Sequence, residues 1–450
     1  MGSQERAVQN NSITTNDRQE EDDNNDYSNE NSHSGFYGAV FNLVTTVIGA
    51  GIMALPATMK VLGLIVGVIL ILLMGIITEV SVEMLIRYSV HCNAKSYGEV
   101  VQHALGTPGR IISELFIIMN NAGVLVVYMI IIGDVMSGSD RHVGVLDQWF
   151  GKGFWDERRL VMLIVLVVCL APLCALDRIE SLSMTSGVSV ALAVLFVMVT
   201  ITVAFIMILE NKIGRPRLFP DISSEKAIID LLVVIPIMSN AYVCHFNIQP
   251  IYNELEGRSP KKMNKVGRVT TIICVFIYWA TAVSGYLLFG DKTESDVLTN
   301  FDKPLGIRFS TGLNYIVRVG YILHLVLVFP VIHFSLRQTI DALAFSGREP
   351  LTEDKKRCLL LTCAILIIVF MVATLIPSIW TAFKFTGAVT AISLAFTFPA
   401  LIALRFNHTG SLTLTSREKI FAWIMLVLAV IISIVGVFAN IYGLQSGSRE

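Results

Sequence analysis

Charge is scarce in this 450-residue chain: Asp, Glu, Lys and Arg make up 15% of it, against 54% hydrophobic residues. The mean hydropathy of +0.66 excludes an ordinary soluble domain. The 34 basic and 35 acidic residues nearly cancel, and no nucleic-acid partner is expected. Seven cysteines, at 92, 169, 174, 244, 274, 358 and 363, show no metal-ligand spacing and no pairing in a long outer loop, so neither a metal site nor a structural disulfide is expected. No nucleophile–base constellation or phosphate loop stands out, which argues against an enzyme and against a cofactor. The N-terminus has no basic stretch followed by an apolar one, so the first membrane helix is expected to direct insertion.

What fills the chain instead is apolar sequence of membrane-spanning length. Residues 1–33 are polar and acidic, with almost no aliphatic residues; they cannot bury enough surface to fold and read as a disordered cytosolic tail. Beyond them, runs of about 20 apolar residues predict eleven helices, near 36–62, 64–88, 110–137, 160–176, 182–209, 227–252, 268–289, 311–337, 358–377, 379–404 and 419–443. Alternating the connections places 19 basic residues on the side of the N-terminus and 13 on the other. The Arg258–Arg268 and Arg337–Arg357 connections carry five each. Positive-inside logic then sets the N-terminus in the cytosol and the tail 444–450 outside or in a lumen.

Two predicted helices are interrupted. Between Ser34 and Met59 no charge occurs, yet Gly49-Ala50-Gly51 and Pro56 break the run near mid-bilayer. Helix 6 carries Pro236 and the polar run Ser239-Asn240-Ala241-Tyr242 at a matching position. Exposed backbone at that depth survives only in protein or lining a cavity, and discontinuous helices build substrate sites in secondary transporters; kinking for packing is the alternative. Five helices from one break to the other make the second group start from the opposite side. The expected fold is therefore all-α and polytopic, with a five-plus-five inverted repeat (34–209 and 227–404) and a peripheral helix 11 at 419–443.

The segments Gly38-Ala39-Val40-Phe41-Asn42-Leu43 and Ile48 to Pro56 resemble the first helix of the amino acid/auxin permease family, which includes sodium-coupled neutral and vacuolar amino acid transporters. Cys244 to Leu255, Arg318 with Phe329-Pro330-Val331, and Phe385 to Ala388 with Phe398-Pro399-Ala400 agree with it, in order. The resemblance covers about residues 34–443. It implies the LeuT-like fold of the amino acid, polyamine and organocation transporters.

That fold implies an amino acid substrate held at both ends. Backbone donors of Gly49, Ala50 and Gly51, at the positive end of a half-helix, suit a carboxylate. Carbonyls near Ser239, Asn240, Ala241 and Tyr242 suit the ammonium. Thr45, Thr46, Asn120, Asn121 and Thr386 are candidate lining residues; adjacent Asn120 and Asn121 point to different faces, so one at most is expected at the site. Sodium-dependent relatives place an Asn and a hydroxyl residue where this chain has Thr45 and Val326. Valine offers sodium no side-chain oxygen, which favours protons. Intramembrane ionisable residues are functional candidates, here Arg318, His324, Glu79 and Glu83 for coupling or gating. Glu83 and Arg87 also suit an i,i+4 ion pair, and Lys384 is expected to snorkel.

The sequons at Asn10 and Asn407 both fall on the expected cytosolic side, where glycosylation does not occur. With the resemblance, this favours a vacuolar or lysosomal membrane over the plasma membrane. Three functions stay open: a proton-coupled amino acid transporter, a sodium-coupled plasma-membrane importer, and an amino acid sensor with little flux that signals through its tail.

Overall fold

The computed structural model describes residues 35–138, 142–154, 157–175, 183–307, 309–345, 347–351, 353–376, 378–410 and 412–447. The tail 1–33 and the sequon at Asn10 lie outside the described residues. Apart from one isolated bridge between Gly138 and Val143, the described chain is helix and loop.

Helix 1 forms as two pieces, 1a (Phe36–Val47) and 1b (Gly51–Leu62), bent by 56° at the Ile48–Ala50 break. Then follow helix 2 (Leu64–Cys92), helix 3 (Tyr97–Ser137) and helix 5 (Ser183–Leu209). Helix 4 runs through Arg158–Val165, a π-turn at Leu166–Leu170 and Ala171–Cys174. Helix 6 has two parts, 6a (Glu225–Tyr242) and 6b (Ile248–Glu254), joined through a 3₁₀ turn at His245–Asn247. Helices 7 (Pro260–Phe289), 8 (Ser310–Ala344) and 9 (Lys355–Leu375) complete the middle of the chain. Helix 10 runs from Ile379–Thr386 through π-turns at Gly387–Ala391 and Ser393–Thr397 to Phe398–Thr409, and helix 11 spans Ser416–Gly447.

Among the described residues nine helices are long and apolar enough to cross a bilayer, and the bent helix 1 makes ten. Helix 4 falls outside that number because its described part, from Arg158 to Cys174, is too short for the same test; with it the helices number the eleven expected. Helix 3 starts thirteen residues before its expected 110–137 bounds: an amphipathic arm precedes Gly106, whose φ of 76° turns the chain as glycine permits. Helix 11 continues through most of the tail expected at 444–450.

Burial sorts the helices into two shells. Helices 3, 6, 8 and 10 are 56–72% buried along their apolar windows, whereas helix 11 is 22% buried, as a lipid-facing peripheral helix must be. Glycines set the closest approaches. A Cβ at Gly51 would stand 2.8 Å from the Ala241 Cα, and one at Gly387 would overlap the Pro236 carbonyl, so helices 1, 6 and 10 touch backbone to backbone. Such contacts between small residues replace the hydrophobic drive that lipid removes.

The two faces are tied by separate polar contacts. On the face opposite the N-terminus, Leu64 and Ile65 donate to the carbonyls of Arg217 and Leu218, and Lys60 donates to Thr293 O. On the other, Arg87 pairs with Glu418 at 2.7 Å and Asn253 donates to Lys95 O.

Candidate functional site

The helix 1 break stands where sequence placed it, and Pro56 lies inside unbroken helix 1b. The helix 6 break does not. Pro236 and the run Ser239 to Tyr242 belong to helix 6a, which ends there; the chain leaves helical geometry at Val243 and Cys244. The Ser239 hydroxyl donates back to Ile235 O within the helix, and Pro236 serves the contact with Gly387. Ser239, Asn240, Ala241 and Tyr242 are thus the last turn, whose carbonyls lose their intrahelical donors.

Three buried tyrosines converge on the breaks. Tyr278 of helix 7 places its hydroxyl 2.6 Å from Val47 O and 2.7 Å from Ala241 O. A phenol carries one O–H, so one carbonyl from each broken helix competes for a single proton. Tyr321 of helix 8 donates to Gly49 O at 2.7 Å. The Tyr128 hydroxyl of helix 3 pairs with the backbone of Ala50 and stands where a Cβ of Gly49 would be. Backbone groups expected to be free at Gly49, Ala50 and Gly51 are therefore partly taken by phenols, and Gly51 packs on Ala241 instead of facing open space. Sequence reasoning missed these tyrosines. The available signal was a phenol within an apolar span, since a buried Tyr hydroxyl needs a partner.

Beside the breaks lies a polar seam. Asn240 Nδ2 donates to Thr386 Oγ1 at 2.5 Å, and Thr390 Oγ1 donates to Asn120 Oδ1 at 3.2 Å. Asn121 turns the other way, its Nδ2 3.3 Å from Ser335 Oγ. One amide atom of each remains buried without a partner: Asn120 Nδ2, Asn121 Oδ1 and Asn240 Oδ1. Unsatisfied buried groups invite a ligand or water. The Thr45 hydroxyl is likewise buried and unpartnered, while Thr46 Oγ1 donates to Asn42 O and accepts from Asn247 Nδ2 of the 6b junction at 3.1 Å.

The ionisable candidates divide. His324 reaches the breaks: its Nδ1 is 2.7 Å from Ser189 O of helix 5, its other side faces the backbone of Ile48, and its ring lies 4.8 Å from that of Tyr321 at a tilt of 41°. Arg318 sits six residues earlier in helix 8, toward the face opposite the N-terminus, 1% exposed. Its guanidinium donates to Val135 O at 2.9 Å, Val143 O at 2.7 Å and Gln148 Oε1 at 3.2 Å, so it ties helix 8 to the end of helix 3 and the following loop. Glu79 and Glu83 do not reach the breaks. Glu79 pairs with Arg268 at 2.9 Å on the rim of helices 2 and 7, and Glu83 accepts weakly from Asn264. The expected Glu83–Arg87 pair is absent because Arg87 turns to Glu418 of helix 11. Lys384 is half-buried near Asp230 and Lys226 at the start of helix 6a.

Two interrupted helices crossing at mid-depth inside a shell of helices 3, 8 and 10 define a multi-pass membrane transporter of the LeuT-like class. Solved structures agree on the fold. A manganese transporter of Eremococcus coleocola superposes with a TM-score of 0.64 at 11% identity, covering 91% of this chain and 87% of that one. MhsT in complex with L-phenylalanine superposes with a TM-score of 0.58 at 13% identity, covering 90% and 98%. The chain belongs to the transmembrane amino acid transporter protein family, whose model matches residues 32–442. Among its relatives, the Arabidopsis thaliana amino acid transporter AVT6E is 66% identical over 93% of this chain and 85% of its own length. AVT6A of the same plant is 43% identical over 93% and 91%. Family and fold place the chain among transporters, not enzymes.

Proposed function

We propose that this protein is a proton-coupled amino acid transporter of a vacuolar or lysosomal-type membrane, working by alternating access with its N-terminus in the cytosol. Residues 34–209 and 227–404 act as the two inverted repeats around the site. The observation that carries the reading is the convergence of Val47 O and Ala241 O on one Tyr278 hydroxyl. An α-ammonium brings three donors to two carbonyls short of one. The carboxylate then meets the start of helix 1b, where Tyr128 and Tyr321 hold the backbone. Asn120, Asn240 and Thr386 line the side-chain end. Relatives named as amino acid transporters support the substrate class.

Protons are favoured over sodium because Val326, where sodium-dependent relatives have a hydroxyl residue, supplies no side-chain oxygen on helix 8. A proton gradient directed out of an acidic lumen would drive amino acids into the cytosol. The test is uptake of labelled amino acids into proteoliposomes under an imposed proton or sodium gradient. Protons alone should drive accumulation; accumulation driven by sodium alone would overturn the coupling.

A further inference from the structure

The loop between helices 7 and 8 closes the outer mouth above the breaks. Its 3₁₀ turn Val297–Asp302 buries Val297, Leu298 and Phe301 completely and packs against helices 1b, 3 and 8. Val297 and Pro56 both approach Gly285 of helix 7, and Phe301 meets Phe289 edge to face. The loop is knotted to the one after helix 3: Asp302 Oδ2 lies 3.2 Å from His142 Nδ1 and 3.3 Å from Val143 N, and Gln148 donates to Asp302 O at 2.9 Å. Gln148 and Val143 are also partners of Arg318.

At the head of that turn sits Asp296, 4% exposed. Its Oδ1 accepts from Leu298 N at 2.9 Å, and its Oδ2 is buried with no partner. No cation neutralises it at bonding distance among the described residues. From helix 3 it faces Asp134, held by Arg158 of helix 4. From helix 8 it faces Arg318, whose two terminal nitrogens are engaged elsewhere, and Tyr321, the donor to Gly49 O. From helix 1b comes Lys60, bonded to Thr293 O at 3.1 Å. Within its own loop and the adjoining one are Asp302, Glu294 and His142, the last 3.8 Å from Glu294. A carboxylate with one oxygen buried and unpaired is costly, whereas the neutral acid is not. Burial first, then the charge of Asp134, push the Asp296 carboxyl up to about 7, against the opposing Leu298 N–H and Arg318.

We propose that Asp296 is a proton-binding site that latches this loop: with the proton on, the loop closes over helix 1b, and with the proton off, the ionised carboxylate draws water and the loop lifts. The proposal deepens the proton-coupled reading and rests on it for its role in transport. A proton taken from the acidic face would close the outer mouth behind the substrate, and Tyr321 links the same region to the Gly49 carbonyl.

The test compares wild type, Asp296→Asn and Asp296→Glu in proteoliposomes, each with and without Val297→Cys as a reporter for a membrane-impermeant thiol reagent. Asp296→Asn should lose proton-driven accumulation at least about tenfold while exchange of labelled for unlabelled amino acid at equal pH persists. Asp296→Glu should restore proton-driven accumulation. Labelling of Val297→Cys, normalised to the Asp296→Asn background at the same pH, should rise between about pH 5.5 and pH 8. Unchanged accumulation in Asp296→Asn, or normalised labelling flat with pH, would overturn the latch. Should wild type ignore the proton gradient, the coupling reading fails, and the labelling result still decides for or against the latch.

Discussion

The hydroxyl of Tyr321 donates to the carbonyl of Gly49 at 2.7 Å, fastening helix 8 to the break in helix 1. The single hydroxyl of Tyr278 stands between a carbonyl of each broken helix. Phenols thus hold the backbone at the breaks, where the proposed function places the amino acid.

Removing those phenols should have unequal effects. Tyr321→Phe leaves Gly49 O with a long bond from Ile52 N at 3.3 Å and should cost about 1 kcal/mol. Tyr278→Phe strips the donor from two carbonyls and should cost more, about 1–3 kcal/mol. Thermal unfolding in detergent reads the order. Bound amino acid should raise the melting temperature of Tyr278→Phe more than that of wild type, because the ammonium replaces the missing donor.

Gly51→Ala should abolish uptake. The new Cβ would meet the Ala241 Cα and Cβ, each at 2.8 Å, and neither atom can swing aside as the far end of a flexible side chain does. Overpacking of this kind costs about 1–3 kcal/mol, here at the crossing of the two broken helices. Normal incorporation into the membrane with lost uptake is the expected result; near-normal uptake would place the site elsewhere.

Glu79→Gln should leave proton-driven uptake within about twofold of wild type, since its ion pair with Arg268 is an exposed rim contact that solvent screens. Uptake measured across a pH series checks this.

Stability should depend on pH through Asp296. Its carboxyl rises from an ordinary value of 3.8 to about 7 on folding, so the folded state holds the proton more tightly than the unfolded one. That contribution is fully present below the unfolded value and is lost as pH rises through about 7, each tenfold difference in proton affinity being worth roughly 1.4 kcal/mol. Wild type should melt at a higher temperature near pH 5 than near pH 8, and Asp296→Asn should narrow the difference.

Much of the architecture was legible in sequence because lipid permits few solutions. Length and hydropathy located the spans, and Gly49-Ala50-Gly51 located the first break, since little else explains two glycines inside a charge-free run. The second break was misplaced by three or four residues because Pro236 signals a kink by propensity, yet here its carbonyl receives Gly387 and the helix runs on to Tyr242. Asn120 and Asn121 do point to different helices, as 100° per residue requires. The partners of Tyr128, Tyr278, Tyr321 and Asp296 were not legible, because they arise from contacts that depend on the folded arrangement, even though a phenol within an apolar span signals that some partner is needed. Glu83 and Arg87 show the converse: local spacing proposed a pair that Glu418, 331 positions from Arg87, dissolves.

The most direct test of the central claim is accumulation of labelled amino acids in proteoliposomes under a proton gradient, with Gly51→Ala alongside wild type. The account predicts accumulation driven by protons, indifferent to sodium and absent in Gly51→Ala. Accumulation that needs sodium, or that survives Gly51→Ala, would contradict it.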